Sequence, residues 1–321
     1  MARRPPPLPP ELRRAVLARS ELLAAGVSLS RLRCADLMRI RRGLYARRGE
    51  EVHEADVAAA LQAALPGLVV LGVSAARLLG IPLPGKLSQW SLGTPVEMAV
   101  GSRGSRGSSD GVVRFHALAL PAADVQTLRL PTAAAGEPIR LRTTGAARIF
   151  RDLADVLDHG QLVAAGDSLV RVPRPGFERR STPWTTIDAL EAQCTGPHAR
   201  KLRRAVADVR VGSDSVKETE LRLAFCAAGL PEPLINRPLV GPDGPVGHDP
   251  DFLWPQFRLC GEYDGRTHST PEQIERDVAR AVKVERAQFT EIRFAAADAA
   301  HGCARAVRRT RDALRDRGWN G

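Results

Sequence analysis

The chain has 321 residues, 44% hydrophobic and 26% charged, with a formal net charge of +11. That length and apolar content can bury more than one core, which excludes a wholly disordered polypeptide and predicts two or three domains in a multidomain α/β protein. The longest apolar stretches, such as residues 67–76, are interrupted by Gly and Ser and fall short of the ~20 residues a membrane-spanning helix needs, so no membrane association is expected.

The N-terminus, Met1-Ala2-Arg3-Arg4 and a proline run, has no apolar core or small-residue cleavage site, which argues against a secretory leader and places the protein in the cytoplasm. Residues 1–50 hold 12 Arg against 4 acidic residues, while the remainder is close to neutral. A basic excess confined to one small unit is the footprint of a phosphate-binding module. Glu11 to Ala25 is predicted helical and ends at Gly26; Ser28 or Ser30 then caps a second helix through Leu29, Leu32 and Leu37. Leu37 to Arg48 alternates apolar and basic residues around Gly43, as a β-hairpin or wing does. The predicted result is a winged helix-turn-helix over residues 1–50. In it Arg31 and Arg33 read base edges of duplex DNA, and Arg39, Arg41, Arg42, Arg47 and Arg48 hold phosphates.

The run from Gly26-Val27-Ser28 to Arg42-Gly43-Leu44-Tyr45 resembles the N-terminal winged helix of AbiEi-type bacterial antitoxins. The resemblance implies DNA binding, commonly at the protein's own promoter, and suggests a neighbouring toxin-like protein as a partner.

Residues 51–175 read as a small α/β region. It comprises a helix over Glu54 to Ala64, a short strand at Val69-Val70-Leu71, and a helix from Ser74 to Leu79 capped by Ser74. Gly101 to Gly111 repeats Gly-Ser-Arg without a GKS/T sequence, which predicts an exposed hairpin loop rather than a phosphate cradle. Thr144 to Leu157 and Gln161 to Val172 are predicted helices. The segments Ser74 to Gly80 and Thr144 to Arg148 are similar to the central region of the same antitoxin-like proteins. Residues 176–214 read as a linker, from the Pro- and Arg-rich stretch Pro173 to Pro183, and a helix over Ile187 to Val206.

The chemistry is densest in residues 215–321. Ser215 to Arg222 opens a helix whose Leu221, Ala224, Phe225 and Ala228 form a buried stripe, and Glu218 lies beside that stripe, where a carboxylate is costly unless paired or metal-bound. Two strands, Asp251 to Trp254 and Arg258 to Tyr263, are joined by Pro255-Gln256-Phe257 as a hairpin that brings Asp251 near Glu262. Glu262 and Asp264 share a strand face, and His268 follows the Gly265 turn. Carboxylates gathered in this way repel unless a cation compensates, and hard oxygen donors select Mg2+ or Mn2+. The alternative is that Asp249, Asp251 and Asp264 serve turns. The five cysteines are far apart, with no CxxC pair or zinc-ligand spacing, and read as reduced, mostly buried thiols.

Glu218 to Arg222, Gly229 to Pro233, Asp251 to Pro255, Glu262 to His268 and Asp277 to Arg280 occur in the order of a bacterial family related to very-short-patch-repair endonucleases. That family belongs to the wider restriction-endonuclease-like fold. The resemblance implies a mixed sheet flanked by helices, with Glu218, Asp251 and Glu262 as the carboxylates holding Mg2+ or Mn2+; Asp264 and His268 are the further catalytic candidates of the cluster. Asp264 stands where the broader superfamily places a lysine, so His268 is the candidate general base, and Arg280, Lys283 or Arg222 the source of positive charge. A second departure, Gln288 to Arg293 in place of the usual Gly-Trp, reads as variation in a strand approach without bearing on catalysis. The expected function is therefore a metal-dependent endodeoxyribonuclease delivered by its N-terminal unit. The competing expectation is a non-catalytic regulator or antitoxin-like protein with a degenerate nuclease fold. With 4% aromatic residues to stack on single strands, duplex DNA is favoured over RNA.

Overall fold

A computed structural model describes residues 5–101, 109–131, 138–174, 180–264 and 271–321, giving only the backbone at residues 271–274, 276 and 277. The chain is mixed α/β and divides into two compact units, Met1–Asp155 and Val156–Gly321. Among the described residues no helix is long and apolar enough to cross a membrane.

The first unit begins with β1 (Val16–Ala18), α1 (Arg19–Ala24), β2 (Leu37–Arg41) and β3 (Leu44–Arg47), the strands forming a sheet in the order β1-β3-β2. The hairpin around Gly43 is present, and Gly43 takes the positive φ of +85° that favours glycine. Both predicted helices are corrected. Val16, Leu17 and Ala18 pair antiparallel with Ala46, Tyr45 and Leu44 and are fully buried, so a distant strand overrides the local helical pattern and leaves α1 six residues long. Between Ser28 and Leu37 the chain makes only a 3-10 turn at Arg31–Arg33, because Leu37 is already committed to β2.

The unit continues through α2 (Glu54–Ala64), β4 (Val69–Val70), α3 (Gly72–Leu79), β5 (Val96–Val100), β6 (Val113–Ala117), β7 (Val125–Leu130), β8 (Ile139–Thr144) and α4 (Ala146–Leu153). Its five-stranded sheet runs β6-β5-β4-β8-β7. The helix over Glu54–Ala64 has the predicted bounds. Two other expectations change. β5 and β6 are parallel, so the connection through Gly101 to Gly111 is not a hairpin, and its residues 102–108 lie outside the described residues. Ser74 does not cap α3, whose N-cap is Leu71; its buried hydroxyl instead accepts the Glu97 N–H at 3.0 Å.

The second unit contains α5 (His159–Val170), α6 (Ile187–Ala192), α7 (Ala199–Asp208), α8 (Val216–Ala227), β9 (Leu234–Ile235), β10 (Val240–Gly241), β11 (Gly244–Pro245), β12 (Phe252–Trp254), β13 (Leu259–Asp264), α9 (Pro271–Arg286), β14 (Thr290–Ala295) and α10 (Ala304–Arg315). Helix α5, expected in the middle region, packs on α7 and α8 of this unit. The helix expected over Ile187 to Val206 is divided into α6 and α7 at the Gly196-Pro197 pair, Gly196 having φ +77°.

The sheet of this unit is mixed, in the order β14-β13-β12-β9, with β13 and β14 parallel across α9 and the other pairs antiparallel. Alternation assigns its two faces. Phe252, Trp254, Leu259, Ile292 and Phe294 pack against Leu221 and Phe225 of α8 and Ala306 and Leu314 of α10. Leu253 and Cys260 pack on the other face against Val284 and Ala287 at the end of α9. The rings of Phe225, Phe252, Trp254 and Phe294 lie 5.5–6.3 Å apart. Gly261 allows this: a Cβ there would come within 2.8 Å of the Phe294 ring and 3.4 Å of Phe252.

Candidate functional site

The cluster grows from α8 and the α9 side of the sheet. Ser215 caps α8 by accepting the Glu218 N–H at 3.2 Å, which places Glu218 in the first turn, 6% exposed. Its Oε2 accepts two hydrogen bonds of 2.8 Å, from the Asp214 N–H and the Asn236 amide. Since Phe252 is opposite Gly261, Asp251 and Glu262 flank each other at the open end of the hairpin. Asp251 Oδ2 accepts the Tyr263 N–H at 2.7 Å, which fixes that carboxylate beside β13. Asp264 follows Glu262 at the end of the same strand, half-buried, while His268 lies outside the described residues.

Burial and mutual repulsion act together on these acids. Glu262 is pushed up to about 8, first by desolvation and then by Asp251, and Glu218 to about 7 by the same two causes. Desolvation also raises Asp251. Glu218, Asp251 and Glu262 thus repel one another, but among the described residues the acids and histidines whose ligand atoms come within 4.8 Å of each other are His248, Glu262 and Glu291, so the structure does not bring the predicted trio together as a closed ligand set.

Two further residues, His248 and Glu291, stand beside Glu262. His248 Nε2 lies 3.3 Å from Glu262 Oε1 and 3.9 Å from Glu291 Oε1. The segment Gln288 to Arg293, expected to have no bearing on catalysis, places Glu291 of β14 beside His248. The cause is the parallel β13–β14 register, which sets Cys260 against Glu291 and Glu262 against Arg293. His248 gave a local signal, a histidine three residues before Asp251. Glu291 gave none, because its neighbour is a strand about thirty residues earlier.

Of the expected supporting cations, Arg280 Nη1 lies 3.9 Å from Glu262 Oε2, and Lys283 Nζ donates to the Gly247 carbonyl at 2.8 Å, next to His248 in the chain. Arg222 is corrected. Its guanidinium is buried and paired with Asp167 at 2.9 Å, so it is committed to joining α8 to α5 rather than to the carboxylate cluster.

No protein-family model matches the chain. Uncharacterized proteins from two strains of Mycobacterium tuberculosis are 34% identical to it over 79 residues, 24% of this chain. The match spans 29% of those relatives' length.

The N-terminal arginines separate into two groups. Arg33, Arg39, Arg42 and Arg48 are exposed, the last with its Nε on the Ala35 carbonyl at 2.9 Å. Arg31, expected to read bases, is instead 7% exposed, with its nitrogens 2.8 and 2.6 Å from the Asp36 carboxylate and its Nε 2.8 Å from the Pro6 carbonyl. Arg41 is held by Asp110 at 2.6 Å and lies over the Phe115 ring, and Arg47 donates to the Arg14 and Leu12 carbonyls. Arg31, Arg41 and Arg47 thus hold the small sheet and its surroundings together, which corrects their expected role as free contacts.

Proposed function

We propose that the chain binds duplex DNA and that its second unit is a divalent-metal-dependent phosphodiesterase, an endodeoxyribonuclease of restriction-endonuclease-like type. The observation that carries the reading is the hairpin pairing that sets Asp251 beside Glu262, with the buried Glu218 of α8 near enough to add to the repulsion that holds Glu262 up to about 8. Arg280 offsets these anions only in part, since Glu262 is still held up, and the hard oxygen donors fit Mg2+ or Mn2+. The bound ion would polarise a phosphodiester and acidify a water molecule. Glu218, Asp251 and Glu262 are the residues to hold it. Arg280 supplies positive charge toward a phosphate, and Asp264 and His268 complete the proposed catalytic set.

The N-terminal unit, read as a reduced winged helix of the antitoxin-like kind, delivers duplex DNA through Arg33, Arg39, Arg42 and Arg48, with a neighbouring toxin-like protein as its proposed partner. Its 3-10 turn in place of a recognition helix favours phosphate contact over base reading. Arg39→Ala with Arg42→Ala is therefore expected to weaken binding similarly across sequences and to lower the slope of log affinity against log salt by about 2. An unchanged slope removes the claim.

The enzymatic test is incubation of the whole protein with plasmid, linear duplex and single-stranded DNA, in Mg2+, Mn2+ or chelator, beside Asp251→Ala. Metal-dependent cleavage of duplex DNA, lost in the variant with binding retained, is the expected result. Asp264, at the position where a lysine is expected, favours a second reading as a non-catalytic regulator or antitoxin-like protein, in which DNA is bound and never cut.

A further inference from the structure

The geometry points to a transition-metal site formed by His248, Glu262 and Glu291, distinct from the Mg2+-type position assigned to Glu218, Asp251 and Glu262 and sharing only Glu262 with it. We propose that it takes one divalent first-row transition ion, Mn2+ or Zn2+, in preference to Mg2+. The proposal rests on the reading above only through that shared carboxylate.

One ligand atom from each residue lies within 4.8 Å of the others. The separations of 3.3 Å from His248 Nε2 to Glu262 Oε1 and 3.9 Å to Glu291 Oε1 match the span of donors around a single ion at bond lengths of about 2.0–2.2 Å. An independent observation concerns hydrogen bonding. The His248 side chain is nine-tenths buried, and its Nε2 makes no hydrogen bond; Glu291 Oε1 is likewise buried without one. Buried polar atoms are rarely left so, and here both face the same space.

The remaining oxygens are already committed in ways that orient the donors. Arg293 Nε donates to Glu291 Oε2 at 2.7 Å, which turns Oε1 toward His248, and Arg280 stands 3.9 Å from Glu262 Oε2, leaving Oε1 on the His248 side. These contacts aim the first ligands, as outer partners do in metal sites. An imidazole nitrogen between two carboxylate oxygens is a donor set that first-row transition ions accept readily, whereas Mg2+ holds oxygen ligands and water.

Equilibrium dialysis of the whole protein without DNA, with Mn2+, Zn2+ or Mg2+ assayed separately, tests the proposal. The variants are His248→Ala, the isosteric Glu291→Gln, and Asp251→Asn. Mn2+ or Zn2+ binding is expected to weaken at least tenfold in His248→Ala and in Glu291→Gln and to persist in Asp251→Asn, with Mg2+ the weakest ion in the parent. Unchanged unfolding of the metal-free variants shows that fold is not the cause, and the visible spectrum of bound Co2+ should lose its imidazole contribution in His248→Ala. Transition-metal affinity that is indifferent to both His248→Ala and Glu291→Gln overturns the proposal. Affinity lost in these two variants in a protein that cuts no DNA retains the site and defeats the nuclease reading. Cleavage lost in Asp251→Asn alongside unaltered Mn2+ and Zn2+ binding in His248→Ala does the reverse.

Discussion

Glu262→Gln is expected to abolish metal-dependent cleavage, by on the order of 10³-fold, the scale of removing one electrostatic anchor of a charged transition state. It should also stabilise the metal-free protein at alkaline pH. Glu262 is held up to about 8, against an ordinary value near 4.5, because desolvation and Asp251 both disfavour its anion. A carboxyl whose folded pKa is raised binds its proton more tightly in the folded state. Its stabilisation is thus complete below about pH 4.5 and is lost as pH rises through about 8. Each unit of pKa difference corresponds to about 1.4 kcal/mol. Coupling to Asp251 and Glu218 spreads the loss, so a change on the order of 1–3 kcal/mol between pH 5 and pH 9 is expected in the metal-free parent. Glutamine carries no charge at either pH and should flatten the profile. Bound metal should flatten it in the parent as well, because the cation then compensates the anions. Urea midpoints at pH 5 and pH 9, with and without Mn2+, measure both effects; equal slopes for parent and variant would show that Glu262 does not carry this charge.

The legible part of the candidate site lies where chemistry and local period coincide. Glu218 was marked by its place beside the apolar stripe of a helix, and Asp251 and Glu262 by two short strands joined through Pro255-Gln256-Phe257. Pairing of adjacent strands is short-range information, and the observed register places these acids as expected. Partners brought by distant pairing left no comparable trace. Glu291 joins the site through a parallel ladder across a helix, and Val16 to Ala18 become a strand only because Leu44 to Ala46 lie beside them. Arg31 shows a different obstacle: the sequence displays its charge but not the Asp36 carboxylate that neutralises it and removes it from the surface. A basic count reports net charge, whereas a DNA contact needs cations left uncommitted.

Arg222→Ala should be the most damaging change outside the carboxylate cluster, costing about 3–5 kcal/mol, as expected when one member of a buried ion pair is removed. Arg222 and Asp167 are almost completely buried where α8 meets α5. Asp167 Oδ2 accepts Arg222 Nη2 at 2.9 Å and the Thr219 hydroxyl at 2.7 Å, and its Oδ1 accepts the Arg210 N–H at 2.7 Å. Without the guanidinium, the carboxylate must stay buried with no cation or take up a proton, and burial already pushes it up. Replacing both charges removes that penalty, so Arg222→Met with Asp167→Asn should recover much of the loss. Asparagine retains an acceptor for the Arg210 N–H, which an aliphatic residue would leave without its Asp167 partner, whereas the Thr219 hydroxyl also has the Ser213 hydroxyl at 3.0 Å. A thermodynamic cycle over the two single variants and the double variant measures the coupling. The same variants separate the two roles open to Arg222. As a structural pin it should lower the unfolding midpoint and leave cleavage by the folded protein intact at low temperature. A loss of cleavage with an unmoved midpoint would instead make it the missing positive charge of the catalytic site, despite the 2.9 Å bond that commits it to Asp167.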